Sequence, residues 1–244
     1  MEYEAGPDLL AGKVILVTGA GDGIGKTAAM SYARHGATVI LLGRTVSKLE
    51  NLYDEIIAAG LNEPGIVPMD LATASAADIQ EMSAVIEKQY GRLDGLLHNA
   101  AILGDRIPVE HYDLNQWARV MQVNFNAVVL LTQLLLPLLK VPASSSIVFT
   151  SSGVGVTPRA YWGAYSVSKY AMEGFAKLLA DELENTANIR VNILNPGATR
   201  TSMRAAAYPG ENPGTVKTPD ELMGLYLYLM GPDSKDENGR TFSG

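Results

Sequence analysis

The chain has 244 residues, of which 47% are hydrophobic and 18% charged, enough for one large α/β domain with a complete core. A formal net charge of -7 gives no electrostatic basis for binding nucleic acid or an anionic membrane, so we expect neither as a partner. The absence of cysteine excludes disulfides and thiolate chemistry and fits a cytoplasmic location. The three histidines show no metal-ligand spacing, so we expect no metal site.

Two segments bear on targeting and membranes. Residues 1–10 carry three acidic side chains and no apolar run, which does not fit a signal peptide. The most apolar stretch, residues 127–139, is interrupted by polar residues and Pro137 and is too short to span a bilayer by itself. We interpret it as a buried core helix.

Short apolar runs alternate with longer helical patterns along the chain, which is typical of βαβ units in a parallel sheet. The runs that predict buried strands are residues 14–17, 38–42, 66–69, 93–97, 146–150 and 190–194, with a seventh at 239–242. The helical patterns are residues 24–35, 47–59, 74–89, 114–139, 161–185 and 219–230. Right-handed crossovers then place helices on both faces of a doubly wound α/β sheet of about seven parallel strands.

No shift in composition divides the chain, so we expect a single domain over residues 1–244. Residues 1–12 precede the first strand as an N-terminal extension. Residues 199–217 contain two prolines and two glycines and form a long connection, which favours a substrate lid.

A glycine-rich turn, T-G-A-G-D-G-I-G, follows the first strand and leads into a helical pattern. This order lets backbone N–H groups approach a pyrophosphate at the positive end of the helix, as in Rossmann-type folds. We therefore predict that the turn binds a dinucleotide through Gly19, Gly21, Asp22, Gly23, Ile24 and Gly25. The alternative is a structural turn without a ligand.

The end of the second strand indicates which cofactor is bound. NAD sites usually place a carboxylate there to hold the ribose 2′-hydroxyl, whereas this chain has Arg44. A guanidinium group suits a 2′-phosphate, so NADP(H) is favoured over NAD(H). The alternative is that Arg44 is a solvated surface residue.

Several motifs in order resemble the short-chain dehydrogenases/reductases. The glycine spacing resembles T-G-x-x-x-G-x-G, residues 98–101 resemble N-N-A-G, and Pro196-Gly197 with Thr201 resembles P-G-x-x-x-T. The resemblance runs from about residue 13 to the end of the chain. Arg44 and the blocks 98–100 and 159–165 are most similar to the YciK-type bacterial oxidoreductases within that family.

The resemblance implies further contacts with the cofactor. Asp70 and Leu71 would flank the adenine, and Asn99 and Ala100 would line the middle of the site. The nicotinamide end would be held by Tyr165, Lys169, Pro196, Gly197, Thr199 and Thr201. His98 departs from the family pattern, and we interpret it as a packed histidine and not a catalyst.

Ser152, Tyr165 and Lys169 carry the predicted chemistry. Tyr165 and Lys169 are four residues apart on a helical pattern, and Ser152 follows the fifth strand at the ligand-binding edge of the sheet. Hydride delivery to a carbonyl needs a proton donor, which we assign to Tyr165. Lys169 would lower the pKa of the phenol, and Ser152 would position the substrate oxygen. By resemblance, Asn124 joins them by helping to hold a water.

The sequence predicts a carbonyl/alcohol oxidoreductase but does not name its substrate. A cofactor-sensing regulatory protein and a cofactor-recycling isomerase or dehydratase are the alternatives. Loops 101–112, 153–162 and 199–216 should wall a mainly apolar and aromatic pocket. The side chains they offer for it are Leu103, Val154, Val156, Tyr161, Trp162, Met203 and Tyr208. They also carry arginines that would either face an acidic or phosphorylated substrate or lie in solvent: Arg106, Arg159, Arg200 and Arg204. The resemblance implies a homo-oligomer, dimer or tetramer, with segments 114–139 and 161–185 at the interface.

Overall fold

Seven strands form one parallel sheet in the computed structural model, which describes residues 3–244. They are β1 Val14–Thr18, β2 Thr38–Gly43, β3 Gly65–Pro68, β4 Gly95–His98, β5 Ser145–Thr150, β6 Ile189–Asn195 and β7 Thr241–Ser243. Their order is β3-β2-β1-β4-β5-β6-β7, with every neighbouring pair parallel. β1 and β4 are buried throughout because both faces of the sheet are covered. The predicted strands are confirmed, with ends that differ by one or two residues.

The helices that cover the sheet are α1 Gly23–Arg34, α2 Val46–Ala58, α3 Ala76–Tyr90, α4 Leu114–Met121, α5 Ala127–Leu139, α6 Gly163–Leu183, α7 Ser202–Ala207 and α8 Met223–Met230. Side chains of α1, α2 and α8 share one hydrophobic cluster, and those of α3, α5 and α6 share the other. The doubly wound α/β fold is therefore confirmed. Its strand order reverses between β1 and β4, and such sheets bind ligands at the carboxyl end of that crevice.

The segment 114–139 is one continuous helical stretch of 26 residues, made of α4, a π-helical turn Gln122–Asn126 and α5. Residues 127–139 alone are too short to cross a membrane, but the whole stretch of 26 residues is long and apolar enough to do so. Half of its most apolar window is buried inside the protein. Leu131, Leu135 and Leu139 are fully buried between the sheet and neighbouring helices, which agrees with a core helix.

The two segments outside the regular alternation are both packed. Residues 3–12 of the N-terminal extension cover the α1/α8 side, where Leu10 is fully buried and its N–H donates to the His35 carbonyl over 2.9 Å. Residues 1–2 of that extension lie outside the described residues. Residues 199–217, hereafter the lid, contain α7, which the sequence analysis did not predict. The Arg200 N–H donates to the Lys217 carbonyl over 2.8 Å and so ties the two ends of the lid together.

Candidate active site

The turn between β1 and α1 is shaped by its glycines. Gly19 and Gly23 have φ values of +69° and +51°, a region that side chains disfavour. A Cβ at Gly25 would collide with the Gly19 carbonyl oxygen and lie 2.5 Å from Asn99 Nδ2. The first turn of α1 thus packs directly on the backbone of the turn. Such close packing of a glycine turn on a helix start is typical of sites that hold a pyrophosphate.

Thr18 ties this turn to the chain that follows β4. Its hydroxyl accepts hydrogen bonds from the N–H groups of Asn99 and Ala100, each over 3.0 Å, and donates to the Leu97 carbonyl. The Asn99 side chain returns a hydrogen bond to the Thr18 carbonyl over 3.3 Å. Both sides of the crevice are therefore fixed relative to each other before any ligand enters.

His98 is the last residue of β4, and its side chain is buried. Its Nε2 is 2.8 Å from Thr132 Oγ1, and its ring stacks on Phe149 with the centroids 4.8 Å apart. Burial lowers the pKa of His98 to about 3, so the ring is neutral at physiological pH. The interpretation of His98 as a packed histidine is confirmed.

Charged groups gather where the glycine turn meets the end of β2. The Asp22 carboxylate accepts from the Gly23 N–H over 2.7 Å, capping α1, and from Lys48 Nζ over 2.5 Å. The hydrogen bond from Lys48 lowers the pKa of Asp22. Arg44 is exposed and lines the cavity, and it has no ion-pair partner within residues 3–244. Lys48, in the first turn of α2, is a second cation near this position, and no sequence motif indicates it.

One cavity of about 410 Å³ runs along the carboxyl edge of the sheet. It is lined by 17 of the predicted site residues: Gly19, Gly21, Asp22, Gly23, Ile24, Arg44, Asp70, Leu71, Asn99, Ala100, Ser152, Tyr165, Lys169, Pro196, Gly197, Thr199 and Thr201. The other two predicted site residues, Gly25 and Asn124, do not line the cavity. Within residues 3–244 no group of three His, Asp or Glu side chains is placed to hold a metal ion.

Ser152, Tyr165 and Lys169 meet at the far end of this cavity. Ser152 follows β5, while Tyr165 and Lys169 lie on adjacent turns of α6 and are only 7% and 3% exposed. Lys169 Nζ donates to the Thr150 carbonyl over 2.6 Å and lies 5.8 Å from the centroid of the Tyr165 ring. The three side chains therefore face one place, with the ammonium group behind the phenol.

The protonation of this trio is governed by burial. Burial raises the pKa of Tyr165 to about 12, and interaction with the Ser152 side chain opposes the rise. Burial lowers the pKa of Lys169 to about 8, and the charge of Glu173 opposes that fall. The sequence predicts that Lys169 lowers the pKa of Tyr165, but desolvation of the phenol is the dominant effect and raises that pKa. The other titratable group that senses Lys169 is the neutral His98.

Glu173 is a residue that the sequence analysis did not single out. It lies one helical turn after Lys169, is 6% exposed, and accepts a hydrogen bond from the Ser151 hydroxyl over 2.5 Å. The spacing of four from Lys169 was a signal that could have found it. The charge of this buried carboxylate stabilises the buried ammonium group of Lys169.

Asn124 lies in the π-helical turn and is buried. Its side chain accepts from the Ile102 N–H over 2.8 Å and donates to the Ile102 carbonyl over 2.9 Å and to Ser168 Oγ over 3.1 Å. Asn124 thereby connects Ile102, in the loop after β4, to Ser168 of α6. A π-helical turn is common at functional sites, where it aims one side chain out of the helical register.

The segment that the sequence predicts to be a lid lines the cavity on the β6 side, through Thr199, Thr201, Ser202, Met203, Arg204 and Ala207. Thr201 caps α7, and its methyl group lies where a Cβ at Gly23 would meet it at 3.1 Å. The Thr199 hydroxyl donates to the Pro196 carbonyl over 3.1 Å, which fixes the start of the lid. The lid thereby reaches across the cavity to the glycine turn.

An aromatic cluster surrounds Tyr165 beneath the lid. It comprises Val154, Trp162, Tyr165 and Ala207, which are buried, and Ala101, Leu103, Met203 and Tyr208, which are partly buried. The Trp162 ring centroid is 5.7 Å from that of Tyr165 and 6.0 Å from that of Tyr208. The space next to the Tyr165 hydroxyl is consequently walled by apolar side chains.

A glycine turn and a doubly wound sheet, with Ser152, Tyr165 and Lys169 on the same cavity, define an oxidoreductase of the dinucleotide-binding class. The sequence model of the short chain dehydrogenase family matches residues 13–212. The chain therefore belongs to the short-chain dehydrogenase family.

Close relatives agree with this assignment. The chain is 50% identical over 242 residues to the uncharacterized oxidoreductase YciK of Escherichia coli K12, covering 99% of this chain and 95% of the relative. A short-chain dehydrogenase of Shigella flexneri 2a, solved in complex with NADP, matches with a TM-score of 0.95 and 50% identity over 98% of this chain and 99% of its own. One from Escherichia coli CFT073, solved with NADPH, matches with a TM-score of 0.95 and 51% identity over the same shares. The resemblance to YciK-type oxidoreductases is confirmed.

Proposed function

We propose that the protein interconverts a carbonyl compound and an alcohol with NADP(H), using Tyr165 as the acid/base. The observation that carries the proposal is the meeting of Ser152, Tyr165 and Lys169 at one end of a cavity whose other end is the glycine turn. A single continuous cavity allows a cofactor to extend from one to the other.

The cofactor assignment rests on fit. Three glycines of the turn, Gly19, Gly21 and Gly23, line the cavity without side chains and so leave room for a pyrophosphate at the start of α1. Arg44, which has no ion-pair partner within residues 3–244, presents a cation at the end of β2, where the 2′-phosphate of NADP(H) would lie, and Lys48 lies beside it in its ion pair with Asp22. The solved relatives with NADP and NADPH support the same choice. When bound, NADP(H) supplies or accepts the hydride.

The side chains of the protein handle the oxygen and its proton. The Ser152 hydroxyl donates a hydrogen bond to the carbonyl oxygen and holds it beside Tyr165. As the carbonyl carbon gains a hydride, its oxygen takes the proton of the Tyr165 hydroxyl, which is present because its pKa is about 12. The ammonium group of Lys169 stabilises the phenolate that remains. The reverse sequence oxidises the alcohol.

The test is the substitution Tyr165→Phe, measured both for turnover and for NADPH binding. Turnover should be lost while NADPH affinity stays nearly unchanged, because the hydroxyl serves the proton and not the cofactor. Lys169→Ala should reduce both. A Tyr165→Phe variant that kept most of its activity would contradict the assignment.

We also propose that the protein is cytoplasmic and forms a homo-oligomer, either a dimer or a tetramer. Val167, Tyr170 and Leu178 lie on one outer side of α6 and are 45%, 41% and 55% exposed. Apolar side chains grouped on an exposed helix face favour contact with a second copy. The cysteine-free composition supports the location.

A further inference from the structure

The four arginines near the mouth of the cavity have structural partners or lie outside it. Arg200 donates to the carbonyls of Pro213 and Val216 over 2.8 and 3.2 Å. Arg159 is exposed and does not line the cavity. Neither of these two side chains is available to a substrate next to Tyr165.

Arg204 lines the cavity, but its charge is neutralised. Its Nε and Nη2 donate to the two carboxylate oxygens of Glu211 over 2.6 and 2.5 Å, a bidentate pair. The guanidinium carbon also lies 3.8 Å from the centroid of the Tyr208 ring. Hydrogen bonds from Arg204 lower the pKa of Glu211, so the pair stays charged at neutral pH.

Arg106 connects the loop after β4 to the lid. Its guanidinium carbon lies 4.5 Å from the Trp162 ring centroid and 5.0 Å from that of Tyr208. Its Nη1 donates to the carbonyl of Ala207, the last residue of α7. Two aromatic faces and a helix carboxyl end stabilise this cation. Its Nε is buried without a hydrogen-bond partner within residues 3–244, but Arg106 does not line the cavity, so its charge does not face a substrate there.

Six further charged side chains line the cavity, and none of them is a free cation next to the Tyr165 hydroxyl. Within residues 3–244 they are Asp22, Arg44, Lys48 and Asp70 at the ends of the first three strands and the start of α2, Arg119 on α4, and Lys169. Arg119 is exposed to solvent, whereas the cluster around Tyr165 consists of buried and partly buried side chains. Lys169 is buried behind the phenol and bonded to the Thr150 carbonyl. A carboxylate or phosphate beside Tyr165 would thus lack a free cation partner.

We propose that the substrate is an uncharged carbonyl compound with an aromatic or branched apolar substituent, seated against Trp162 beneath the lid. This inference rests on the proposed oxidoreductase function. An apolar ring gains contact area on Trp162, Met203 and Leu103. An anionic substituent would lose its hydration without a compensating ion pair.

The test uses two substrates that differ in one charge, methyl benzoylformate and benzoylformate, with NADPH and the wild-type protein. The ester should have a kcat/KM about 100-fold higher than the acid, because only the acid buries an unpaired charge. An equal or higher kcat/KM for the acid overturns the substrate class while leaving the oxidoreductase function intact.

A binding measurement separates failure of the substrate class from failure of the function. The chain has two tryptophans, so Trp117→Phe leaves Trp162 as the single reporter. With NADP+ present, the ester should quench Trp162 fluorescence and the acid should not. Quenching by the ester without turnover contradicts the proposed function and supports the substrate class. No quenching and no turnover with the ester overturns the substrate class.

The lid offers a gain-of-function variant. Glu211→Gln releases the charge of Arg204, which should raise kcat/KM for benzoylformate about 10-fold relative to wild type. Glu81→Gln, an exposed change on α3, is the matched control and should leave both substrates unaffected. Unchanged selectivity in Glu211→Gln would show that Arg204 is not the reason the acid is excluded.

Discussion

Lys169 and Glu173 show how a buried charge is kept in a functional position. Lys169 is nearly inaccessible to solvent, and its pKa of about 8 reflects that burial. Glu173, one turn later, raises this pKa and is held in place by Ser151. A buried carboxylate behind a buried ammonium group thus keeps the proton on Lys169 near neutral pH.

Glu173→Gln should therefore alter the pH profile of carbonyl reduction. In the wild-type protein kcat/KM should fall as the pH rises through about 8, because Lys169 loses the proton that stabilises the Tyr165 phenolate. Without the carboxylate the pKa of Lys169 is lower, so the fall should begin at lower pH. Gln keeps the hydrogen bond with Ser151, and Glu182→Gln on the exposed side of α6 is the control. Identical profiles for wild type and Glu173→Gln would disprove a role for this charge.

The same burial makes Lys169 a cost to stability. Lys169→Met should raise the free energy of unfolding at pH 7 by about 1–3 kcal/mol, measured by urea denaturation, while turnover is lost. Below pH 8 the folded protein carries the full cost, since both states are protonated. Between pH 8 and 10.5 only the unfolded state holds the proton, so the wild-type protein gains stability and the difference should shrink. A variant less stable than wild type at pH 7 would be the contrary result.

At the scale of elements, the glycine turn is the part that the sequence predicted best. A strand, a glycine run and a helix in order leave few alternatives for the backbone, and the structure has α1 beginning at Gly23. The lid was harder to predict, because α7 is only six residues long and has no strong periodicity. The contacts of Arg106 with the rings of Trp162 and Tyr208 join distant segments, and no local pattern reveals them.

Gly25→Ala tests the glycine turn. The added methyl group would collide with the Gly19 carbonyl and the Asn99 side chain, so NADPH-induced thermal stabilisation should disappear and the protein itself should lose about 1–3 kcal/mol. Gly174→Ala is the control, since nothing lies within 4 Å of a Cβ at that helical position. Undiminished stabilisation of Gly25→Ala by NADPH would mean that the turn does not hold the cofactor.

At the scale of the whole molecule, the sheet explains why distant motifs converge. β1, β4, β5 and β6 are neighbours and parallel, so the residues that follow them share one edge. The sequence predicted all seven strands and, through the family resemblance, the residues of that edge. It also predicted five side chains of the aromatic cluster, Leu103, Val154, Trp162, Met203 and Tyr208, whereas Val156 and Tyr161 are exposed. It did not reveal Lys48 or Glu173, because their roles depend on which helix faces meet across the cavity.

The outer side of α6 is the surface that we expect a second copy to cover. Leu178→Asp should shift the protein to a monomer in light scattering at micromolar concentration, since it places a charge in an apolar contact. Val85→Asp on α3, equally exposed at 55%, should leave the oligomer intact. A wild-type protein that is already monomeric would contradict the proposed assembly.

The central claim is that this molecule passes a hydride from NADPH to a carbonyl carbon while Tyr165 supplies the proton. The most direct measurement uses NADPH deuterated at both C4 positions of the nicotinamide with uncharged aryl ketones, followed by mass spectrometry of the alcohol. The account predicts one deuterium on the carbinol carbon with the wild-type protein and no alcohol with Tyr165→Phe. Alcohol formed without deuterium, or formed equally well by Tyr165→Phe, would contradict it.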